Sequence, residues 1–192
     1  MGRYTTVAIN KDQYQEIIDL VRGGYYDGEV DHRPNPRLAT VLILEANLGC
    51  RLSDIISMTT DSVIKDGNHY RLNITEQKTK KPRSFIVPDK LKAFIDDYIN
   101  RYRIPRGEKL FKFGEAAVWK QLRFATNYLN MEHVSSHSFR KKAANDLYER
   151  SNYDIMKVSQ FLQHASINTT RAYIKRSDAD MEAAINEIVD LA

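Results

Sequence analysis

Three short stretches of the 192-residue sequence place arginine, histidine and tyrosine at spacings that suit chemistry on a phosphate group. In the first, Arg51 follows a predicted helix stop at Gly49, and Asp54 lies three residues further on. That spacing puts both side chains on one helical face, where the carboxylate can hold the guanidinium. An ordinary surface salt bridge has the same spacing and, for this stretch alone, is the preferred interpretation.

The second stretch is His137-Ser-Phe-Arg140, in which an imidazole and a guanidinium converge on one point and could grip phosphate oxygens. The third runs from Leu162 to Tyr173 and contains His164 and a Thr-Thr pair. It ends one predicted helix and begins another, with Ser166 or Asn168 as N-cap. Tyr173 is one of 11 tyrosines, so alone it is more simply a packing residue, and His164 could merely cap a helix.

A mostly helical domain with one small antiparallel sheet must position these residues. Periodicity, caps and glycine stops predict helices over 10–23, 37–48, 52–58, 89–103, 115–129, 137–148, 154–162, 169–174 and 178–189. Strands are predicted over 63–64, 70–74 and 83–87, with an Asp-Gly turn at 66–67 and a basic loop at 75–82. Segment 31–36 is predicted to be a polar loop. Without repeats or a long linker, we expect one domain over 1–192.

Composition excludes several classes of protein. With 42% hydrophobic and 28% charged residues, the chain is globular rather than disordered. The apolar run 38–44 is too short to span a membrane, and the first residues lack the apolar core of a signal peptide. A single cysteine, Cys50, excludes an internal disulfide framework and a Cys-rich zinc site, so a reducing cytoplasm is the expected compartment.

The net charge of +4 is unevenly distributed along the chain. Residues 1–50 carry −2, residues 51–176 carry +11, and residues 177–192 carry −5. A basic middle segment favours a polyanionic partner such as nucleic acid, although a solvated lysine and arginine surface explains the charge equally well.

Taken together and in order, Arg51, the basic loop, His137-x-x-Arg140 and the segment 162–173 resemble the tyrosine recombinase, or phage integrase, family. The match runs from about residue 38 to residue 173, and the nine-residue spacing from His164 to Tyr173 is its most specific part. The resemblance implies an α+β, mostly α fold: a helical recombinase catalytic domain with a three-stranded antiparallel sheet. It implies a site-specific DNA recombinase that cleaves and rejoins strands through a 3′-phosphotyrosyl intermediate.

The resemblance also implies a role for each residue. Tyr173 would be the nucleophile, Arg51 and Arg140 would clamp the non-bridging oxygens, and His137 and His164 would add hydrogen bonds. Lys78 would protonate the departing 5′-oxygen, with Lys80 and Lys81 as alternatives in the same loop, and Asp54 would orient Arg51. Further contacts to the DNA backbone are expected from Lys80, Lys81, Arg83, Lys141, Lys142 and Arg171. The implied partners are double-stranded DNA and a homotetramer on synapsed DNA, with a monomer in free solution and no membrane. Because the arginines supply the electrostatic stabilisation, no metal or other cofactor is expected.

Some features depart from the family pattern. Lys141-Lys142 follows the second arginine, Gln163 stands where glycine usually precedes the histidine, and 192 residues leave no room for an N-terminal core-binding domain. The chain is therefore expected to be a catalytic fragment or a minimal recombinase. The apolar stripe in 178–192 is expected to pack on its own domain or to dock on a neighbouring protomer.

Other functions compete with strand transfer. The main rival is a catalytically silent DNA-binding regulator of the same fold. One weaker rival is a metal-dependent nuclease that uses His133 and His137, and another is a thiol enzyme that uses Cys50. Relaxation of supercoiled DNA, as by type IB topoisomerases, is compatible with the same chemistry as a side activity.

Overall fold

A computed structural model of the protein describes residues 6–171 and 173–174. They fall into two compact units that divide between Ala143 and Ala144. The predicted helix over 178–189, and with it the predicted docking of 178–192, lies outside the described residues.

The first unit is mostly helical and contains the predicted antiparallel sheet, which confirms the fold class. Its elements in chain order are α1 (Lys11–Gly23), β1 (Tyr25–Tyr26), β2 (Asp31–His32), α2 (Pro36–Leu48), α3 (Leu52–Ser57), β3 (Val63–Asp66), β4 (His69–Thr75), β5 (Pro82–Val87), α4 (Asp89–Tyr102), α5 (Glu115–Tyr128) and the start of α6 (Ser136–Arg150). The predicted helices of this unit are confirmed, with ends shifted by at most two residues. The predicted capping box of Asn10 and Gln13 opens α1 through reciprocal hydrogen bonds of 2.8 and 3.0 Å.

Helix α2 forms the centre of the hydrophobic core of this unit, because nearly every residue from Leu38 to Leu48 is buried. Asn35 caps its N-terminus, and Pro36 occupies the first turn, where a missing N–H costs nothing. The helix ends at Gly49, whose φ of 55° lies in the left-handed region that glycine adopts without strain. Arg51 follows two residues later, so the turn at Gly49 fixes the position of the Arg51 backbone.

The sheet has the order β3-β4-β5, with both pairs antiparallel. In β5 the residues alternate between buried and exposed faces, and Arg83 shares the inward face with Phe85 and Val87. The loop between β4 and β5 is the basic loop predicted from the sequence.

Residues 31–36 are not entirely loop, which corrects the prediction. Strand β2 pairs with β1 through Tyr25 opposite His32, and the two rings stack with centroids 4.3 Å apart. His32 also lies 2.7 Å from the Asp27 carboxylate across the hairpin. Strands of two residues are too short to show the alternation by which strands are predicted.

The second unit contains the rest of α6, α7 (Ile155–Leu162) and α8 (Ile167–Arg171). Its buried apolar residues are Ala144, Tyr148, Val158 and Leu162, with Tyr173 packed against them. Asp154 caps α7 by accepting two backbone N–H groups. Among the helices that the structure describes, none is long and apolar enough to cross a membrane.

Glu45 is a buried acid within the apolar helix α2. It is 1% exposed, and its Oε2 has no hydrogen-bond partner among the described residues. Burial raises the pKa of Glu45 well above its ordinary 4.5, with Arg140 only partly opposing the effect. The interior therefore favours the neutral acid at this position.

We predict that Glu45→Gln changes the stability at pH 4 by less than about 1 kcal/mol, because the carboxyl is then mostly neutral in both the folded and the unfolded protein and the amide replaces a neutral group. Because the pKa of Glu45 is raised in the folded protein, the wild type should lose stability relative to the variant as the pH rises from 4.5 to 7. Urea denaturation of both proteins across this range measures the difference. A variant that is several kcal/mol less stable at every pH would show that Glu45 is an ionised partner of Arg140.

Candidate active site

Arg51 lies at the N-cap of α3, where its backbone is extended and its side chain points toward the β4–β5 loop. Its Nη1 donates to Oε2 of Glu76 at 2.7 Å, and the side chain remains 23% exposed. Its Nε and Nη2 make no hydrogen bond to any residue that the structure describes. One edge of the guanidinium is therefore fixed, while the other keeps the paired N–H groups that bind two phosphate oxygens.

Glu76 is the central acceptor of this site, and the sequence analysis did not identify it. It is 1% exposed; its Oε2 accepts from Arg51 and from the Thr79 hydroxyl at 2.7 Å each, and its Oε1 accepts from Arg83 at 3.1 Å. These hydrogen bonds and the arginine charges outweigh the cost of burial and lower the pKa of Glu76. The available signal was that Glu76 is the single acid in the basic loop.

Asp54, predicted to orient Arg51, contacts the backbone of Arg51 and not its guanidinium. Its carboxylate is 4.0 Å from Nη1 of Arg51, beyond hydrogen-bond distance, and accepts instead from the Arg51 backbone N–H at 3.3 Å. Its other oxygen accepts from the backbone N–H of Gln77 at 2.7 Å. Asp54 thus ties the start of α3 to the β4–β5 loop, while Glu76 holds the guanidinium.

The carbonyl groups at the end of α2 bind two more guanidinium groups. Nη1 of Arg140 donates to the Gly49 oxygen at 2.6 Å, and Nη2 of Arg83 donates to the oxygens of Leu48 and Gly49 at 3.0 and 3.2 Å. Such carbonyls have no partner within the helix and carry its negative partial charge, so they suit cations. Arg83 is 0% exposed, which corrects the prediction that it contacts DNA; it is an interior cation that braces the site.

His137 lies among the predicted cations of the first unit. Burial, then the charges of Arg140, Lys141, Arg51 and Lys78, lower the pKa of His137 to about 4. The imidazole is therefore neutral at pH 7, with one N–H donor and one acceptor nitrogen. The structure thus brings together four of the residues singled out in the sequence: Arg51, Lys78, His137 and Arg140.

Lys78, Lys80 and Lys81 all lie in the β4–β5 loop. The charge of Lys78 is one of those that lower the pKa of His137. All three side chains are exposed. Lys80 has a φ of 57°, a left-handed conformation by which the loop turns back toward β5.

The two lysines after Arg140 have different environments. Lys141 is half-buried, and its ammonium donates to the Thr6 carbonyl oxygen at 2.5 Å. Lys142 is 9% exposed, and its ammonium lies 4.9 Å from the centroid of the Tyr14 ring. This buried cation–π contact corrects the prediction that Lys142 contacts DNA.

His164 and Tyr173 form a pair within the second unit. Their ring centroids are 4.7 Å apart in an edge-to-face arrangement, and Nδ1 of His164 lies 3.0 Å from the hydroxyl of the buried Thr170. Gln163, which stands where the resembled family has glycine, adopts a left-handed φ of 52°. That conformation explains why glycine suits the position. Ser166, rather than Asn168, directly precedes α8, and Arg171 is exposed.

These side chains suit an oxyanion ligand better than a metal ion. In this part of the first unit the basic side chains outnumber the acidic side chains of Asp54 and Glu76, so the site holds surplus positive charge that a phosphodiester can neutralise. The basic residues are Arg51, Lys78, Arg83, Arg140 and Lys141. Among the described residues there is no group of three or more His, Cys, Asp or Glu side chains that could hold a metal ion. Burial raises the pKa of Cys50 to about 11, so its thiol is not a ready nucleophile.

The fold matches solved tyrosine recombinases. The XerH site-specific recombinase, in a post-cleavage complex with its palindromic difH substrate, matches 97% of this chain with a TM-score of 0.74 at 19% identity. This chain spans 54% of that protein. The catalytic domain of bacteriophage HP1 integrase matches with a TM-score of 0.63 at 18% identity, over 94% of both chains. The fold is therefore that of a tyrosine recombinase catalytic domain.

The sequence comparison identifies the family. The model of the phage integrase family matches residues 8–180, so the chain belongs to the phage integrase family. A curated relative, the probable integrase/recombinase YoeC of Bacillus subtilis (strain 168), is 29% identical over 157 residues, which cover 78% of this chain and 83% of the relative.

We predict that Arg83→Met lowers the free energy of unfolding by about 3 kcal/mol, because it leaves Glu76 and two helix-end carbonyls buried with fewer donors. The exposed Lys81→Met is the matched control and should change it by less than about 0.5 kcal/mol. Urea denaturation at pH 7 measures both changes. If Arg83→Met left stability unchanged and only weakened DNA binding, the buried bracing role would be wrong.

A second prediction concerns His137 and pH. A folded pKa near 4 against 6.5 in the unfolded chain means that stability is present above pH 6.5 and is lost as the pH falls toward 4. Between pH 7 and pH 5 the wild type should therefore lose about 1 to 2 kcal/mol more stability than His137→Gln. Denaturant titrations at the two pH values give this difference. Equal losses in the two proteins would show that the folded protein does not disfavour the protonated form of His137.

Proposed function

We propose that the protein is a site-specific DNA recombinase that cleaves and rejoins strands through a covalent link between Tyr173 and a DNA 3′-phosphate. The observation that carries the proposal is the arrangement of two arginines in which Glu76 holds Arg51 and the Gly49 carbonyl oxygen holds Arg140. The charges of both arginines and of Lys78 act on His137. A phosphodiester gains negative charge on its non-bridging oxygens as it reacts, and fixed cationic donors stabilise that charge. The family membership supports the same reaction.

In the proposed reaction the phenolic oxygen of Tyr173 attacks phosphorus, and the bond from phosphorus to the 5′-oxygen breaks. A phenol with a pKa of about 10 is a weak nucleophile at pH 7 until a base takes its proton. The imidazole of His164, whose ring centroid lies 4.7 Å from that of Tyr173, is the group proposed to take that proton. The exposed ammonium of Lys78 gives a proton to the departing 5′-oxygen, which leaves as a hydroxyl group.

Rejoining is the same sequence in reverse. A 5′-hydroxyl from another strand attacks the phosphotyrosyl phosphorus, its proton passes to the neutral amine of Lys78, and Tyr173 recovers its proton. One ester is exchanged for another at each step, so no external energy source is required. The free edge of Arg51 suits the non-bridging oxygens throughout. Arg140 is fully buried, so its guanidinium must be uncovered when the phosphate binds.

Double-stranded DNA is the proposed partner. The solved XerH chains are bound to their difH DNA substrates, and a lambda integrase dimer is bound to a core-site DNA. The exposed Lys80, Lys81 and Arg171 are proposed to bind flanking phosphates, together with Lys141. Assembly into a tetramer on paired sites is part of the same proposal.

We predict that the protein forms a covalent adduct with DNA in the presence of EDTA, because the reaction uses side chains in place of a metal. The probe is a pool of nicked duplexes with a randomised central segment and a label at the 5′ end of the strand to be cleaved, because that fragment stays on the protein through its 3′-phosphate. The readout is a shifted band on a denaturing gel. Tyr173→Phe should give no adduct, since the ring is kept and the attacking oxygen is lost. Tyr26→Phe is the matched control, because Tyr26 is an exposed tyrosine in the β1–β2 hairpin, and it should give the wild-type yield.

Other outcomes identify the rival functions. Cleavage that EDTA abolishes, without an adduct, would identify a metal-dependent nuclease. Specific binding of one sequence without an adduct would identify a DNA-binding regulator of the same fold. An adduct that persists in Tyr173→Phe would assign the nucleophile to another residue.

A further inference from the structure

Glu76 links two groups that the proposed reaction uses at different oxygens of the phosphate. Its side chain holds Arg51 at 2.7 Å, and its position two residues before Lys78 places it at the base of the loop that carries the proton donor. The contact with Arg51 joins parts of the chain that are 25 residues apart. A single buried carboxylate therefore lies between the proposed phosphate clamp and the proposed general acid.

The same residue also shapes the loop through its backbone. The Glu76 N–H donates to the Lys81 oxygen and its carbonyl accepts from the Lys80 N–H, both at 2.9 Å, so the loop closes on itself around Lys78. The Thr79 hydroxyl donates to the Glu76 carboxylate at 2.7 Å and accepts from the Lys81 N–H at 3.3 Å. Lys78 thus lies in the sequence between Glu76 and Thr79, whose side chains are hydrogen-bonded to each other.

The charge of Glu76 is essential to this arrangement. Its two oxygens accept from two guanidinium groups and one hydroxyl, which a glutamine amide cannot do because it has one acceptor oxygen and a donor nitrogen. The amide nitrogen of Glu76→Gln would face the N–H groups of Arg51 or Arg83. We therefore expect Glu76→Gln to break either the hydrogen bond that holds Arg51 or the hydrogen bonds that hold the loop around Lys78.

We propose that Glu76 is a positioning residue that sets the free edge of Arg51 and the Lys78 loop together, so that the transition-state clamp and the proton donor are aligned by one carboxylate. The inference rests on the proposed strand cleavage. It adds that Arg51 and Lys78 are not independent: a change at Glu76 should impair both contributions.

Two substrates separate these contributions. One is the nicked duplex recovered from the randomised pool, and the other is the same duplex with sulfur in place of the bridging 5′-oxygen at the scissile phosphate. A thiolate leaves without protonation because thiols are far more acidic than alcohols, so the sulfur substrate bypasses the general acid. Single-turnover cleavage at saturating DNA is measured for the wild type, Lys78→Ala, Arg51→Ala, Glu76→Gln and the exposed control Glu16→Gln.

We expect the recovery of the cleavage rate on the sulfur substrate to be intermediate for Glu76→Gln, between that of Lys78→Ala and that of Arg51→Ala. Lys78→Ala should lose about 100-fold or more in rate on the oxygen substrate and recover to near the wild-type rate on the sulfur substrate. Arg51→Ala should lose about 100-fold on both. Glu76→Gln should lose about 100-fold on the oxygen substrate and recover only part of that loss on the sulfur substrate, whereas Glu16→Gln should match the wild type.

Three results would overturn the inference. Full recovery of Glu76→Gln on sulfur would assign Glu76 to Lys78 alone, equal losses on both substrates would assign it to Arg51 alone, and a wild-type rate would remove it from the reaction. Each rate is divided by the folded fraction of the variant, which circular dichroism and urea denaturation give. Glu76→Asp keeps the charge, so it should cleave the oxygen substrate at least about ten-fold faster than Glu76→Gln. A wild type without adduct would overturn the proposed function itself, and the inference with it.

Discussion

The compensation of buried positive charge is the constraint on which the candidate site depends. Two fully buried arginines, Arg83 and Arg140, donate to the carbonyl groups where α2 ends, and Glu76 neutralises part of the charge between Arg83 and Arg51. An unpaired charge in the interior costs several kcal/mol, so each of these groups fixes the position of the next. The result is a preorganised cationic site in which Arg51 is partly exposed and Arg83 and Arg140 are buried.

The helix stop at Gly49 connects this network to the core. Helix α2 is anchored by apolar side chains along its length, and its last carbonyls lie where the rigid core ends and the site begins. Arg51 and Arg140 come from distant parts of the sequence, yet both are positioned against this one helix end. The precision of the site therefore derives from the packing of α2 and from the left-handed turn that ends it.

Much of this arrangement could be predicted from the sequence, because the signals were local. Caps, glycine stops and apolar spacing predicted the helices of the first unit to within two residues of their observed ends, and the order of the motifs indicated the family. Arg83 was misassigned to the DNA surface, although its alternation with Phe85 and Val87 indicates the buried face of β5. Lys142 was misassigned for a similar reason, since it lies three residues after the buried Phe139 on one helix face. Glu76 could not be found in this way: its role depends on contacts with Arg51 and Arg83 that only the folded chain creates.

In the proposed reaction one tyrosine, Tyr173, carries the DNA during strand exchange. Digestion of the covalent adduct with trypsin and nuclease, followed by mass spectrometry, tests it directly. We expect a nucleotide 3′-phosphate attached to the peptide 172–175, at Tyr173. A nucleotide on any other residue, or linked through its 5′-phosphate, would contradict it.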